Sequence, residues 1–431
     1  MSRFARPRCI PTLLLALALA TKASVAQNPA PPHDTAAADT SLAERLQRAE
    51  NAIERLQRQL EEQNQAKVSS RLRNHVELSG TILVNGFYNS DQVNSADVPQ
   101  FVVAPDSSGL PNASLGGTVR QTRIGISASG AHALGASLSA DLQMDFAGGQ
   151  QPSAGGRTFP LPRIRTAFGR LDWRHFGLLI GQETQIISPL NPVSFVAVST
   201  PEFTGAGNLW FWVPQVRLTY ETGAKPRIGF QGAVLAPMGG TPQTAFGTVA
   251  DTAERSGRPM VQGRVYFGWG DGETETQIGV GIHRGWFATP GDSSFMSQAY
   301  TADLRLALGE KIQILAEGYY NGTALAGLGG GGAGQNFGVG HVPVDTRGGW
   351  AQLNIRPSFM WELGGGYGMD DPDDTDLPAT GRLKNAIIEG HIHWRPGGGL
   401  LIGAAYRRIE TTYLAGPLTA NTFGMFTGFS F

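Results

Sequence analysis

Gln298-Ala-Tyr-Thr-Ala-Asp-Leu-Arg-Leu-Ala-Leu-Gly309 decides how the rest of the chain is to be read. Tyr300, Ala302, Leu304, Leu306 and Leu308 fall on one side of an extended chain, and Thr301, Asp303, Arg305 and Ala307 on the other. A strand turns successive side chains to opposite faces, so period two gives one apolar and one polar face. The pattern recurs. Gln215–Glu221 sets Val216, Leu218 and Tyr220 against Gln215, Arg217, Thr219 and Glu221. Met260–Trp269 sets Val261, Val265, Phe267 and Trp269 against Gln262, Arg264 and Tyr266. Ser137–Phe146 sets Leu138, Leu142, Met144 and Phe146 against Ser139, Asp141, Gln143 and Asp145. A soluble sandwich also alternates, with its apolar side chains turned inward.

Connection lengths favour a membrane barrel. Sixteen strands are expected between His75 and Phe431: 75–88, 119–129, 135–146, 161–172, 176–186, 214–222, 226–236, 259–269, 273–287, 297–309, 311–320, 346–356, 358–368, 382–395, 399–413 and 418–431. Long connections (89–118, 187–213, 237–258, 321–345) follow odd strands, and short ones (130–134, 223–225, 270–272, 396–398) follow even strands. Short periplasmic turns and long external loops are the outer-membrane pattern. Tyr88, Trp173, Trp269, Trp286, Tyr320, Tyr367 and Trp394 fall near strand ends, where an interfacial girdle belongs. The fold class expected is therefore all-β: a transmembrane antiparallel barrel over 75–431, preceded by a short helical coiled coil.

Composition agrees. Of 431 residues, 58 are Gly, roughly 13% and about twice the ordinary share. Charged residues are 16%, and outside the first 26 positions no apolar run is long enough for a transmembrane helix. The net charge of −1 gives no basic excess for nucleic acid. A single Cys excludes a disulfide framework and a Cys-based zinc site.

Residues 1–26 read as a secretory signal: Arg3, Arg6 and Arg8, an apolar stretch from Ile10 to Ala20, and Ser24-Val-Ala26 before cleavage at Gln27. Losing Arg3, Arg6, Arg8 and Lys22 takes the net charge from −1 to −5. A Pro/Ala/Asp-rich linker follows over 27–40. In 41–67, Leu42, Leu46, Ala49, Ile53, Leu56 and Leu60 form a heptad seam, opened by the capping pair Ser41 and Glu44. A lone helix of this length is marginal in water, so the seam needs partners.

Sixteen strands enclose an aqueous lumen. Parity places Arg123, Arg217, Arg227, Arg264, Arg305, Arg356 and Arg407 inside, with Glu77, Asp141, Asp145, Glu221, Glu275, Asp303, Glu317, Glu362 and Glu389. Neighbouring opposite charges on a barrel wall commonly pair and stiffen it. Parity also turns His283, His391 and His393 inward. His391 and His393 are compatible with a metal, but no third ligand is evident, so no metal or cofactor is expected. Gly329–Gly334 lacks the Lys and Ser/Thr of a phosphate loop and reads as a flexible external loop, and Asp370–Asp376 reads as a solvated acidic loop.

The segment 187–213 is unlike the other loops. It carries Pro189, Pro192, Pro201 and the run Thr204–Trp212, with Glu202 its one acid and no base. So apolar a loop is poorly suited to water, and folded into the lumen it narrows the pore. The pore constriction and selectivity residues expected are Arg123, Arg163, Arg165, Glu202, Arg217, Arg264 and Arg305. Arg123, Arg163 and Arg165 are expected to face Glu202 and favour anions.

Val119-Arg-Gln-Thr-Arg-Ile-Gly-Ile-Ser-Ala-Ser-Gly130 resembles the start of trimeric porins of the DcaP-like and phosphate-selective O/P type. Arg163–Phe168, Leu179–Gln182 and Pro214–Tyr220 add to the likeness, and a coiled coil ahead of a sixteen-stranded barrel resembles DcaP-like porins in particular. The resemblance implies a homotrimer held through barrel wall and coiled coil, the third external loop as the constriction, and passive diffusion of small anions such as organic acids. It also implies an outer-membrane lipid surround, with the coiled coil in the periplasm of a Gram-negative-type bacterium. Few Lys and a mixed lumen depart from a phosphate-selective pore. Phe423, Met425, Phe429 and Phe431 share a face of the last strand, and the terminal aromatic resembles the signal read by the barrel assembly machinery, which marks Phe429 and Phe431. Two rivals remain. A barrel enzyme needs a Ser/His/acid group, for which only Ser188 and His175 offer themselves and no catalytic residue is assigned. An envelope-tethering barrel needs only the coiled coil and linker.

Overall fold

The computed structural model describes residues 75–149, 158–223, 225–240, 249–291 and 293–431. The expected signal, linker and coiled coil lie outside the described residues.

Among the described residues the strands are β1 (His75–Asn89), β2 (Ser114–Thr118), β3 (Arg123–Ala133), β4 (Ala136–Asp145), β5 (Arg163–Asp172), β6 (Phe176–Thr184), β7 (Trp212–Glu221), β8 (Arg227–Leu235), β9 (Met260–Trp269), β10 (Thr276–Thr289), β11 (Ser293–Leu308), β12 (Ile312–Thr323), β13 (Asp345–Ser358), β14 (Trp361–Pro372), β15 (Lys384–Gly397), β16 (Leu400–Tyr413) and β17 (Gly416–Ser430). All pairings between them are antiparallel, and each strand follows its sequence neighbour around the wall. β1 closes the circle against β17, from Thr81 opposite Ser430 to Asn89 opposite Thr422. On its other edge β1 meets two segments, β2 through Asn85–Asn89 and β3 through His75–Thr81. β2 and β3 are thus halves of one wall strand, and the barrel has the sixteen strands the periodicity calls for. Closure leaves no open sheet edge, which is the condition for a sheet to sit in lipid.

The apolar face points out. Val84, Ile126, Ile164, Ile180, Leu218, Phe230, Val265, Val280, Leu353, Ile388 and Met425 are exposed on the wall. Their strand neighbours Asn85, Arg165, Arg264, Glu317, Gln352, Glu389 and Arg407 are buried inside. Near the end that carries His75 and Phe431, Trp269, Trp361 and Trp394 are exposed outward, and Trp361 stacks on Trp394 at 5.8 Å. Tyr88, Tyr320 and Tyr367 are exposed toward the opposite end.

Two differences from the expected connections stand out. β2 was read as loop, because Ser114-Leu-Gly-Gly-Thr118 offers no apolar alternation. On the end that bears the long loops, β10 ends at Thr289 and β11 starts at Ser293, and β16 ends at Tyr413 and β17 starts at Gly416, so long and short do not alternate strictly.

Candidate functional site

The interior is occupied by the segment between β6 and β7. An irregular chain inside a barrel carries backbone groups that the wall must satisfy. Inward Asn and Gln side chains do so. Gln352 of β13 clamps Val193 twice, accepting its N–H at 2.7 Å and donating to its carbonyl at 3.0 Å. Gln121 Oε1 accepts from the N–H groups of Val198 and Ser199 at 2.9 and 2.8 Å. Asn85 donates to the Phe195 carbonyl, Asn385 to that of Gly205, both at 2.8 Å. Glu317 accepts from the Leu190 N–H at 2.6 Å and from the Ser188 hydroxyl. Gln121 sits in the break between β2 and β3, where leaving the ladder frees its side chain to turn inward.

Apolar side chains fill what the amides leave. Phe203 stacks on Trp350 at 5.9 Å and lies over Gly366 and Gly368 of β14. A Cβ on Gly368 would stand 2.4 Å from the Ala206 carbonyl oxygen and 2.7 Å from Phe203 Cβ, so only glycine admits the loop there. Ile186, Ile187, Leu209 and Val213 pack with Leu235, Met260, Leu325 and Leu328.

This corrects the reading of the glycine run. Gly331, Gly332 and Ala333 are buried rather than solvated, and Phe211 N–H donates to the Leu328 carbonyl at 3.3 Å. Gly329, at φ +120°, lies so close to Trp210 that a Cβ would be 2.6 Å from its backbone nitrogen. The acidic loop is corrected likewise. Asp370 belongs to β14, is buried, and accepts from Tyr319 Oη at 2.5 Å, Thr346 Oγ1 at 2.9 Å and the Gly332 N–H at 3.2 Å.

The charged candidates divide by partner. On β3, β4 and β5 the register sets Arg123, Asp145 and Arg163 side by side. The exposure of Ile164 puts Arg163 and Arg165 together on the inner face. Asp145 pairs with Arg163 at 2.7 Å and Arg165 at 3.0 Å. Arg165 also donates to the Val198 carbonyl at 2.8 Å and lies 4.2 Å above the Trp212 ring, and Arg163 donates to the Ser199 carbonyl. Arg123 forms no ion pair among the described residues. Two guanidiniums thus bond one buried carboxylate, and Arg123 stands beside it in register, in the field of Asp141 and Asp145. Arg217 donates to neutral oxygens, Gln215 Oε1 at 3.1 Å and the Thr184 carbonyl. Arg305 reaches Glu275 only at 3.7 Å and is more than a third exposed.

Glu202 and Arg264 differ from expectation. Glu202 is buried against Arg407 at 2.8 Å and accepts from Ser194 Oγ at 2.9 Å. Arg163 and Arg165 bond to Asp145 and to the loop carbonyls instead of to Glu202. Burial pushes the Glu202 carboxyl above its ordinary range, and the Arg407 guanidinium opposes that shift. Arg264 forms a buried fork with Asp303, at 2.9 and 2.6 Å, and donates to Gln277 at 2.7 Å. Such a pair stiffens the wall and presents no free charge to a solute. Parity had named Asp145, Arg407 and Asp303 as inward; what it lacked was the pairing, which depends on register and loop path. The loop-clamping Gln121, Gln352, Asn85 and Asn385 were not singled out, though amides at inward positions are a readable signal.

Ser188 and His175 are not brought together. Ser188 is buried against Glu317, and His175 lies in the turn after β5, its Nδ1 2.9 Å from the Glu221 carbonyl oxygen.

No family model and no curated protein matches the chain. Solved structures do. The outer membrane channel DcaP of Acinetobacter baumannii aligns with a TM-score of 0.64 and 16% identity, over 84% of this chain and 99% of that one. An anion-selective porin from Comamonas acidovorans aligns at 0.53 and 11%, over 83% and 100%. OprB of Pseudomonas putida aligns at 0.53 and 10%, over 83% and 94%. The chain thus has the fold of sixteen-stranded outer-membrane channels.

Proposed function

We propose that the protein is an outer-membrane porin through which small hydrophilic solutes diffuse passively, with a preference for small anions such as organic acids. The observation that carries the preference is the cluster on β3, β4 and β5, where Arg123, Arg163 and Arg165 outnumber Asp141 and Asp145. Positive charge left over beside a segment that fills much of the lumen attracts anions as they pass. Arg217, with no ion pair among the described residues, and Arg305, whose ion pair is loose, extend the path. The fold shared with an outer membrane channel and an anion-selective porin supports the channel reading. Passive diffusion needs no catalytic group, and the separation of Ser188 from His175 removes the one enzyme candidate the sequence offered. The assembly follows from the same reading: a homotrimer in outer-membrane lipid, inserted by the barrel assembly machinery, its coiled coil in the periplasm.

The test is reconstitution in a planar bilayer under a salt gradient. A reversal potential of anion sign, reduced by Arg123→Ala and Arg165→Ala, supports the reading. A cation-sign potential keeps the channel and removes the anion preference. Absence of conductance from a folded barrel removes both.

A further inference from the structure

Three neighbouring rows on the inner face of β13, β14 and β15 hold an arrangement that diffusion does not require. Register sets Asn354, Gly364 and His391 in one row, and Glu362 beside His393 in the next. The two imidazoles stack, 4.3 Å between centroids. Glycine at 364 lets its neighbours close over the backbone, with His391 Cε1 only 2.3 Å from where a Cβ would stand. A Cβ there would lie 2.5 Å from His391 Nε2 and 2.6 Å from Asn354 Oδ1. Both of these atoms are buried, and neither has a hydrogen-bond partner.

The chemistry of these two atoms follows from the other side of His391. Its Nδ1 is 2.6 Å from Glu389 Oε1, which holds the ring proton on Nδ1 and leaves a lone pair on Nε2. Two unpartnered acceptors then converge over Gly364. A cation satisfies both at once. Further ligands stand beside them, since donor atoms of Glu362, His391 and His393 all lie within 4.8 Å of one another. Two imidazoles, a carboxylate and an amide oxygen form a set for a borderline divalent ion such as zinc, with Glu389 as the carboxylate behind a ligating histidine. Bonds of about 2.1 Å in a tetrahedron put ligand atoms about 3.3 Å apart, so the side chains close inward by up to about 1.5 Å on binding.

Positive groups also face the site. Arg356 Nε donates to Glu362 Oε2 at 2.7 Å, and Arg395 reaches Oε1 at 3.3 Å. Arg356 fixes the far oxygen, and Oε1 lies 3.0 Å from His393 Nδ1, close to the spacing of two ligands on one ion. Arg395 is a third exposed and lies 5.7 Å from the Phe195 ring, so it has room to withdraw. We propose that Asn354, Glu362, His391 and His393 bind one zinc-like divalent ion, which ties β13, β14 and β15 together on the inner wall. The sequence hid the third ligand because Glu362 comes from the neighbouring strand.

The test uses the full-length, untagged protein in detergent, stripped with chelator and titrated with Zn(II) at about pH 8, since metal affinity falls when ligands are protonated. One zinc per chain, retained on desalting, is expected, with intense cobalt d–d bands on substitution by Co(II). His391→Gln and His393→Gln abolish retention, and Glu389→Gln weakens affinity by about 10–100-fold. Gly364→Ala keeps every ligand but drives His391 and Asn354 apart, and it too abolishes retention. His132→Gln, on an exposed strand end, changes nothing. Heat-modifiable gel mobility confirms that each variant is folded. Substoichiometric zinc, or binding that Gly364→Ala and His391→Gln leave intact, overturns the proposal.

Discussion

Arg264 and Arg123 carry the same charge on the same inner surface, yet their surroundings give them opposite roles. Arg264 is enclosed with Asp303, and its guanidinium is saturated by that carboxylate and by Gln277. Removing one partner of a buried pair leaves the other charged, dry and unmatched. Asp303→Ala is therefore expected to destabilise the barrel by about 3–5 kcal/mol, read as a lower urea midpoint for the protein folded in detergent. Arg123 has no such partner among the described residues and is only half-buried. Arg123→Ala is expected to change stability by less than about 1 kcal/mol while lowering the anion-to-cation permeability ratio severalfold. If both variants alter the urea midpoint and neither alters the reversal potential, the assignment of roles is wrong. Charge and parity were legible in the chain for both residues. The partner was not, because it sits on another strand whose register no local pattern fixes.

The segment between β6 and β7 makes the same point for an element. Its composition argued for burial, and its contacts with β1, β13, β15 and the β2–β3 break run across the interior. What composition could not give is the complementary surface. Gly366 and Gly368 fall in the expected strand 358–368, where nothing in the sequence marks them as the surface over which Phe203 lies. Gly329–Gly334 read as a flexible loop because glycines suit both freedom and close approach, and only the nearness of Trp210 decides between these. β2 escaped notice for a related reason, since two of its five residues have no side chain to alternate. The long alternating strands were legible throughout, because two solvents, lipid and water, impose opposite demands on adjacent residues. Phe203→Ala removes a fully buried anchor of the segment. It is expected to cost about 3–5 kcal/mol locally and, by loosening the segment, to raise single-channel conductance. Gly368→Val should do the same by steric expulsion, since its side chain meets Ala206 and Phe203. Conductance unchanged in both variants would mean that the segment does not limit the current.

At the scale of the whole molecule the proposed homotrimer needs surfaces that would hold copies of the barrel together. The outer wall offers a broad apolar surface around the full circumference, suited to lipid and to another barrel alike. The heptad seam at 42–60, read from sequence, has three heptads and a polar outer face, so it is marginal alone and stable only in company. If both elements contribute to a homotrimer, they should be separable. Deleting residues 27–67 after the signal should leave the conductance of each barrel and its reversal potential unchanged, because nothing in the lumen is removed. The same deletion should lower the temperature at which the trimer band converts to monomer on a gel. In bilayers, currents that close in three equal steps should give way to single steps as that temperature is approached. A trimer whose melting is indifferent to the deletion would place all of the association in the barrel wall and leave the coiled coil to a task outside assembly. A chain that yields single steps even when intact would remove the trimer, while the anion path through Arg123, Arg163 and Arg165 would stand or fall on its own measurement.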